Sequence, residues 1–76
     1  MAITNTYYIQ LVKALSPIIS VGVGTTVYAV CKENGLNVEN ISKEDLPMIK
    51  SGIVEHYKNF LANKMEMIKT KLNTVV

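Results

Sequence analysis

The residues best suited to chemistry in this chain are one cysteine, Cys31, and one histidine, His56. A cysteine nucleophile needs a neighbouring base, and the sequence places no histidine or acid beside Cys31. A zinc site needs more Cys and His ligands than this chain contains, and a haem or metal role for His56 with Met67 or Cys31 lacks a fixed second ligand. We therefore predict a buried, inert thiol, a structural or surface histidine, and no cofactor or metal.

Gly22 and Gly24 have the spacing that opens a phosphate-binding loop. The position for the third glycine of such a loop is Val27, and no Gly-Lys-Ser/Thr follows. Both glycines are therefore predicted to allow close helix packing. The acids are not paired for general acid–base catalysis, so we expect a protein that is not an enzyme.

The formal net charge of +2 is too small to indicate a polyanionic partner. All eight basic residues are lysine, whereas sequence-specific readers of nucleic acid use the bidentate arginine fork. A nucleic-acid partner is therefore not expected. The first ten residues lack a basic segment before an apolar run, which predicts no export signal. With a single unpaired cysteine, this indicates a cytoplasmic protein.

The element that must position these groups is the uncharged run Ala14–Cys31. Before it, apolar residues at helical spacing predict a first helix over residues 4–15, for which Thr4, Asn5 and Thr6 are acceptable N-caps.

Pro17 is expected to kink or break this helix, because proline removes a backbone donor and clashes with the preceding turn. A second helical segment is predicted from Pro17 to about Asn34. Gly35 would end it as a left-handed residue. The stretch Thr25–Val27 would also suit a strand, but no strand is evident to pair with it.

A second long helix is predicted over residues 43–73. Ser42 is its N-cap, with Asp45 at the third helical position of a capping box. Gly52 is the only helix-breaking residue in the amphipathic pattern that follows Pro47, and the helix would be roughly 40 Å long. The predicted contact residues for a partner, mostly on its apolar face, are Ile53, Tyr57, Phe60, Lys64, Met67, Ile68 and Leu72.

These elements predict one all-α domain over residues 1–76, a helical hairpin with its first helix kinked or broken at Pro17. A chain of this size buries only about 60% of its unfolded surface, and a short first helix cannot cover a long second one. We therefore predict that two copies form a homodimeric four-helix-type bundle.

The expected function of this small non-enzymatic protein is self-association and protein–protein interaction, with regulation as one such role. Two alternatives stay open. Ala14–Cys31 is close to the length of a membrane span and is flanked by lysines, which is typical of a small single-span membrane protein or accessory subunit. A helical bundle could also bind a small ligand where Tyr28, Cys31, His56 and Tyr57 converge.

Overall fold

The computed structural model describes residues 4–19, 22–59 and 61–75. In those ranges the chain forms four α-helices and no strand, which confirms the all-α prediction. The helices are α1 (Thr6–Leu15), α2 (Val23–Glu33), α3 (Leu46–Tyr57) and α4 (Met65–Leu72). A one-turn 3₁₀ segment directly precedes α3 (Lys43–Asp45) and another precedes α4 (Ala62–Lys64).

Asn5 begins α1 and also fastens it to a distant loop. Its Oδ1 accepts hydrogen bonds from the backbone N–H groups of Tyr7 and Tyr8, at 3.0 and 3.1 Å. Its Nδ2 donates to the backbone oxygen of Ile41 at 3.1 Å, in the connection between α2 and α3. One side chain therefore caps a helix and anchors the loop that packs beside it.

The second helix begins later than predicted. α1 ends at Leu15, and α2 starts at Val23 rather than at Pro17. Gly22 immediately precedes α2 with φ of +84°, a left-handed conformation that an α-helix does not contain. The role that we assign to Pro17 in ending α1 stays a prediction.

The end of α2 is as predicted. Gly35 has φ of +70°, and its N–H donates to the oxygen of Lys32 at 3.2 Å. The N–H of Leu36 donates to the oxygen of Cys31 at 2.8 Å. This pair of bonds is the Schellman arrangement, which satisfies the last carbonyls of a helix.

The predicted capping box is also confirmed. The backbone N–H of Ser42 donates to Oδ2 of Asp45 at 3.0 Å, and the Ser42 hydroxyl donates to the same oxygen. It opens a 3₁₀ turn rather than an α-helix, and α3 continues from that turn at Leu46.

The predicted continuous helix over residues 43–73 is wrong. α3 ends at Tyr57, and Leu61 has φ of −127° and ψ of 43°, which are not helical values. The chain then passes through the 3₁₀ turn into α4, which begins at Met65. The hairpin is therefore replaced by four short helices within one chain.

Burial of the last apolar residues explains this break. Ile68, Leu72 and Val75 are all buried, whereas a straight helix would carry them past the rest of the chain. Burying each such side chain is worth about 1.5–3 kcal/mol, and a lost helical hydrogen bond costs a net of about 1 kcal/mol. The Leu61 N–H even keeps its bond to Tyr57, at 2.8 Å. Folding back is therefore favoured.

One core joins all four helices. α2 packs against α1 and α3, and α4 packs against the same two helices. The buried apolar residues are Leu11, Leu15, Ile18, Ile19, Val23, Val27, Val30, Cys31, Val38, Ile41, Leu46, Ile49, Ile53, Tyr57, Ile68, Leu72 and Val75.

Two glycines allow the close helix contacts in this core. A Cβ on Gly24 would lie 2.5 Å from the Tyr8 hydroxyl oxygen, and one on Gly52 would lie 2.5 Å from Cγ1 of Val30. The packing prediction is confirmed for Gly24. It is wrong for Gly22, where a Cβ would have no atom within 4 Å.

Candidate functional site

The structure places most of the predicted interaction residues inside the chain's own core. Ile53 and Ile68 are fully buried, and Tyr57 and Leu72 are nearly so. Of the other three, Phe60 lies outside the described residues, Lys64 is half-buried, and Met67 is exposed. Among the described members of this set, Met67 on α4 is the one that is exposed to a partner.

The buried tyrosine has an internal partner. The Tyr57 hydroxyl donates to Oγ1 of Thr26 at 2.8 Å, and the Thr26 hydroxyl donates to the backbone oxygen of Gly22 at 3.0 Å. This chain of hydrogen bonds satisfies the polar atoms that α2 and α3 bury between them. Tyr57 therefore fixes the contact between two helices.

Lys64, from the predicted interaction set, and Lys50 of α3 also bond within the chain. Nζ of Lys64 donates to the backbone oxygen of Ile18 at 3.4 Å, and Nζ of Lys50 donates to the backbone oxygen of Val75. Their stems lie along the core while their ammonium groups reach the carbonyls at its edge. The two lysines of α4 itself, Lys69 and Lys71, are both exposed.

The exposed side of α4 forms the first candidate surface, which we call the α4 face. It is a shallow depression of about 240 Å³ lined by Glu66, Met67, Thr70 and Lys71. Met67 has 55% of its surface exposed, a large fraction for an apolar side chain. The Thr70 hydroxyl donates to the backbone oxygen of Glu66 at 2.8 Å, so its methyl group is the part left for contact.

The second candidate is a cleft of about 260 Å³ between α2 and the loop that follows it. Tyr28 and Lys32, one turn apart on α2, line one side, and Leu36, Asn37 and Val38 line the other. Tyr28 is 50% exposed. We call this the α2 cleft.

The four residues expected to converge on a ligand do not all meet. Tyr28 is in the α2 cleft, whereas Cys31 is fully buried in the core. His56 is exposed on α3, with its ring edge-on to Tyr57 at 5.1 Å between centroids. The α2 cleft contains only Tyr28 from the predicted set. Sequence reasoning missed Lys32 in this cleft, although its position one turn after Tyr28 places both residues on one side of α2.

Burial governs the chemistry of Cys31. Loss of hydration raises the pKa of its thiol above the ordinary value of 9.0, and the negative charge of Asp45 raises it further. A thiol with a raised pKa is protonated at neutral pH and is a poor nucleophile.

Within residues 4–19, 22–59 and 61–75, no three His, Cys, Asp or Glu side chains are grouped so as to hold a metal ion. Across the same ranges, every helix is too short or too polar to cross a membrane.

Comparison of the chain with family models, with curated proteins and with solved structures gave no match in any of the three. Its function has therefore to be argued from its own surfaces.

Proposed function

We propose that this chain is a small, non-enzymatic interaction protein, and that the α4 face is the surface through which two copies associate. The observation that supports this is the order of charges along the α4 face. Glu66 stands at one end, Lys71 at the other, and Met67 with Thr70 between them. A surface with this order is complementary to itself.

The complementarity follows from twofold symmetry. If two α4 helices pack in parallel about a twofold axis that runs along them, Glu66 of each copy lies on the flank that faces Lys71 of the other. The same axis places Met67 against Met67 and Thr70 against Thr70 of the second copy. Closed dimers use such isologous contacts, in which one patch meets its own copy.

The association is expected to be weak. α4 has only eight residues, so its contact area lies at the small end of protein interfaces, where transient signalling complexes are found. The core is already closed within one chain, so folding does not require the dimer. The fraction of chains in the dimer would then rise and fall with the concentration of the protein, which suits the regulatory role that we expect.

Absence of enzymatic activity and a cytoplasmic location belong to the same proposal. Both are supported by Cys31, which is a free, fully buried thiol. Its burial raises the pKa of the thiol. A free thiol persists most readily in a reducing compartment.

Charge reversal tests the α4 contact. We expect the native chain to dimerise with a Kd of about 0.1–1 mM by sedimentation equilibrium, in the range typical of small interfaces. Glu66→Lys and Lys71→Glu each bring like charges together and should abolish the dimer. An equimolar mixture of the two variants should form a heterodimer, because each then faces its opposite charge.

The matched control is Lys69→Glu, which makes the same charge change on α4 outside the α4 face. It should leave the dimer intact. Far-ultraviolet circular dichroism checks that each variant keeps its helices. A native chain that is monomeric at about 1 mM, or a mixture that fails to associate, contradicts the proposal.

A further inference from the structure

The α2 cleft has the composition of a ligand site, and it shares no residue with the α4 face. Its volume of about 260 Å³ is close to the lower end of the range for small-molecule sites. Leu36 and Val38 supply apolar surface, with Val38 buried and Leu36 half-buried. A space of this size accepts a compact apolar body such as one aromatic ring.

The polar groups of the α2 cleft are hydrogen-bond donors. Lys32 contributes an ammonium group, and Tyr28 contributes a hydroxyl on a half-exposed ring. Oδ1 of Asn37 already accepts from the N–H of Glu39 at 2.9 Å, so its side chain offers the NH₂ donor to a ligand.

No carboxylate lines the α2 cleft among the described residues. The acids nearest in sequence, Glu33 and Glu39, are exposed and outside the lining. A cation would therefore meet only Lys32 and neutral donors, whereas an anion would meet a charge of opposite sign.

We propose that the α2 cleft binds a small monocarboxylate with an apolar body. Leu36, Val38 and the Tyr28 ring contact the apolar part, and the carboxylate accepts hydrogen bonds from Lys32, Asn37 and the Tyr28 hydroxyl. The charge of Lys32 gives the preference for an anion, and the size of the cleft limits the ligand to about a dozen non-hydrogen atoms.

Three probes of one shape test this assignment. Phenylacetate, phenylacetamide and phenethylamine share an apolar ring and differ in charge. Titrated into the ¹⁵N-labelled full chain, phenylacetate should give saturable shifts at the amides of Tyr28, Lys32 and residues 36–38, with a Kd of about 1 mM, as expected for a fragment-sized ligand. The neutral amide and the amine should bind at least about threefold more weakly, the scale of one exposed charge pair.

Substitution then assigns the charge preference to one residue. Lys32→Gln keeps a long polar side chain at an exposed position and should remove the preference for phenylacetate over phenylacetamide. Lys43→Gln removes the same charge from an exposed site outside the cleft and should leave the preference unchanged. The dispersed amide spectrum of each variant verifies its fold. Absence of saturable shifts, equal binding of the amine, or an unaltered preference in Lys32→Gln overturns the proposal.

Discussion

Asn5 uses both ends of its side-chain amide, and the two contacts are separable by substitution. Asn5→Ala removes the cap on α1 and the hydrogen bond to Ile41. It should lower the free energy of unfolding by about 1–2 kcal/mol, measured by urea denaturation. Asn5→Asp keeps an oxygen for the cap and loses the donor to Ile41.

We expect Asn5→Asp to retain the contribution of the cap while losing that of the bond to the loop. Thr4→Ala is the control, since Thr4 is exposed and immediately precedes the cap. Equal stability of the alanine variant and the native chain would show that neither contact of Asn5 contributes to folding.

Among the elements, the contacts of α2 with its neighbours differ in how much change they tolerate. A Cβ on Gly52 would meet Cγ1 of Val30, a fully packed and β-branched side chain that cannot rotate away. Gly52→Ala should therefore destabilise the chain by about 1–3 kcal/mol, the cost of overpacking a core.

Gly24→Ala is the matched comparison. Its Cβ would meet only the hydroxyl end of Tyr8, the far end of a half-buried side chain that can move. Alanine also favours a helix over glycine by about 1 kcal/mol, so we expect a change close to zero. Thermal unfolding of both variants measures the contrast. Equal losses of stability in Gly52→Ala and Gly24→Ala would show that the Val30 contact is not the tighter one.

The ends of helices were predictable where short-range chemistry decides them. Gly35 ends α2 because its left-handed conformation lets two backbone bonds close over the last turn. The Ser42–Asp45 box likewise needs only residues that are three apart. The gap between α3 and α4 was not predictable in this way, because the reason for it is the burial of Ile68 and Leu72 against distant parts of the chain.

The candidate surfaces also combine features that the sequence predicts with features that only the folded chain determines. The spacing of Ile53, Ile68 and Leu72 predicted that these apolar residues are covered. It could not show whether the same chain or a partner covers them. Which side of α4 is left exposed, and that Lys32 and Asn37 line the same cleft, depend on where the chain turns.

At the scale of the molecule, the closed core predicts that one chain folds alone. The urea midpoint should stay constant as the chain concentration rises from about 1 to about 10 µM, well below the Kd expected for the α4 contact, because only association stronger than these concentrations shifts a midpoint by mass action. The measurement is a set of urea curves followed by circular dichroism. A midpoint that rises with concentration would mean that folding needs a second copy.

The position of α4 has a consequence for fragments of this protein. The longest α-helix in the described ranges has twelve residues, and helices of that length are marginal in water without packing. A cut in the turn after α3 would separate Ile68, Leu72 and Val75 from the residues that bury them. Proteolysis there would leave the α4 piece without a core and would uncover the sides of α1 and α3 that α4 packs against, so the chain would be degraded as a unit rather than trimmed to a stable subdomain.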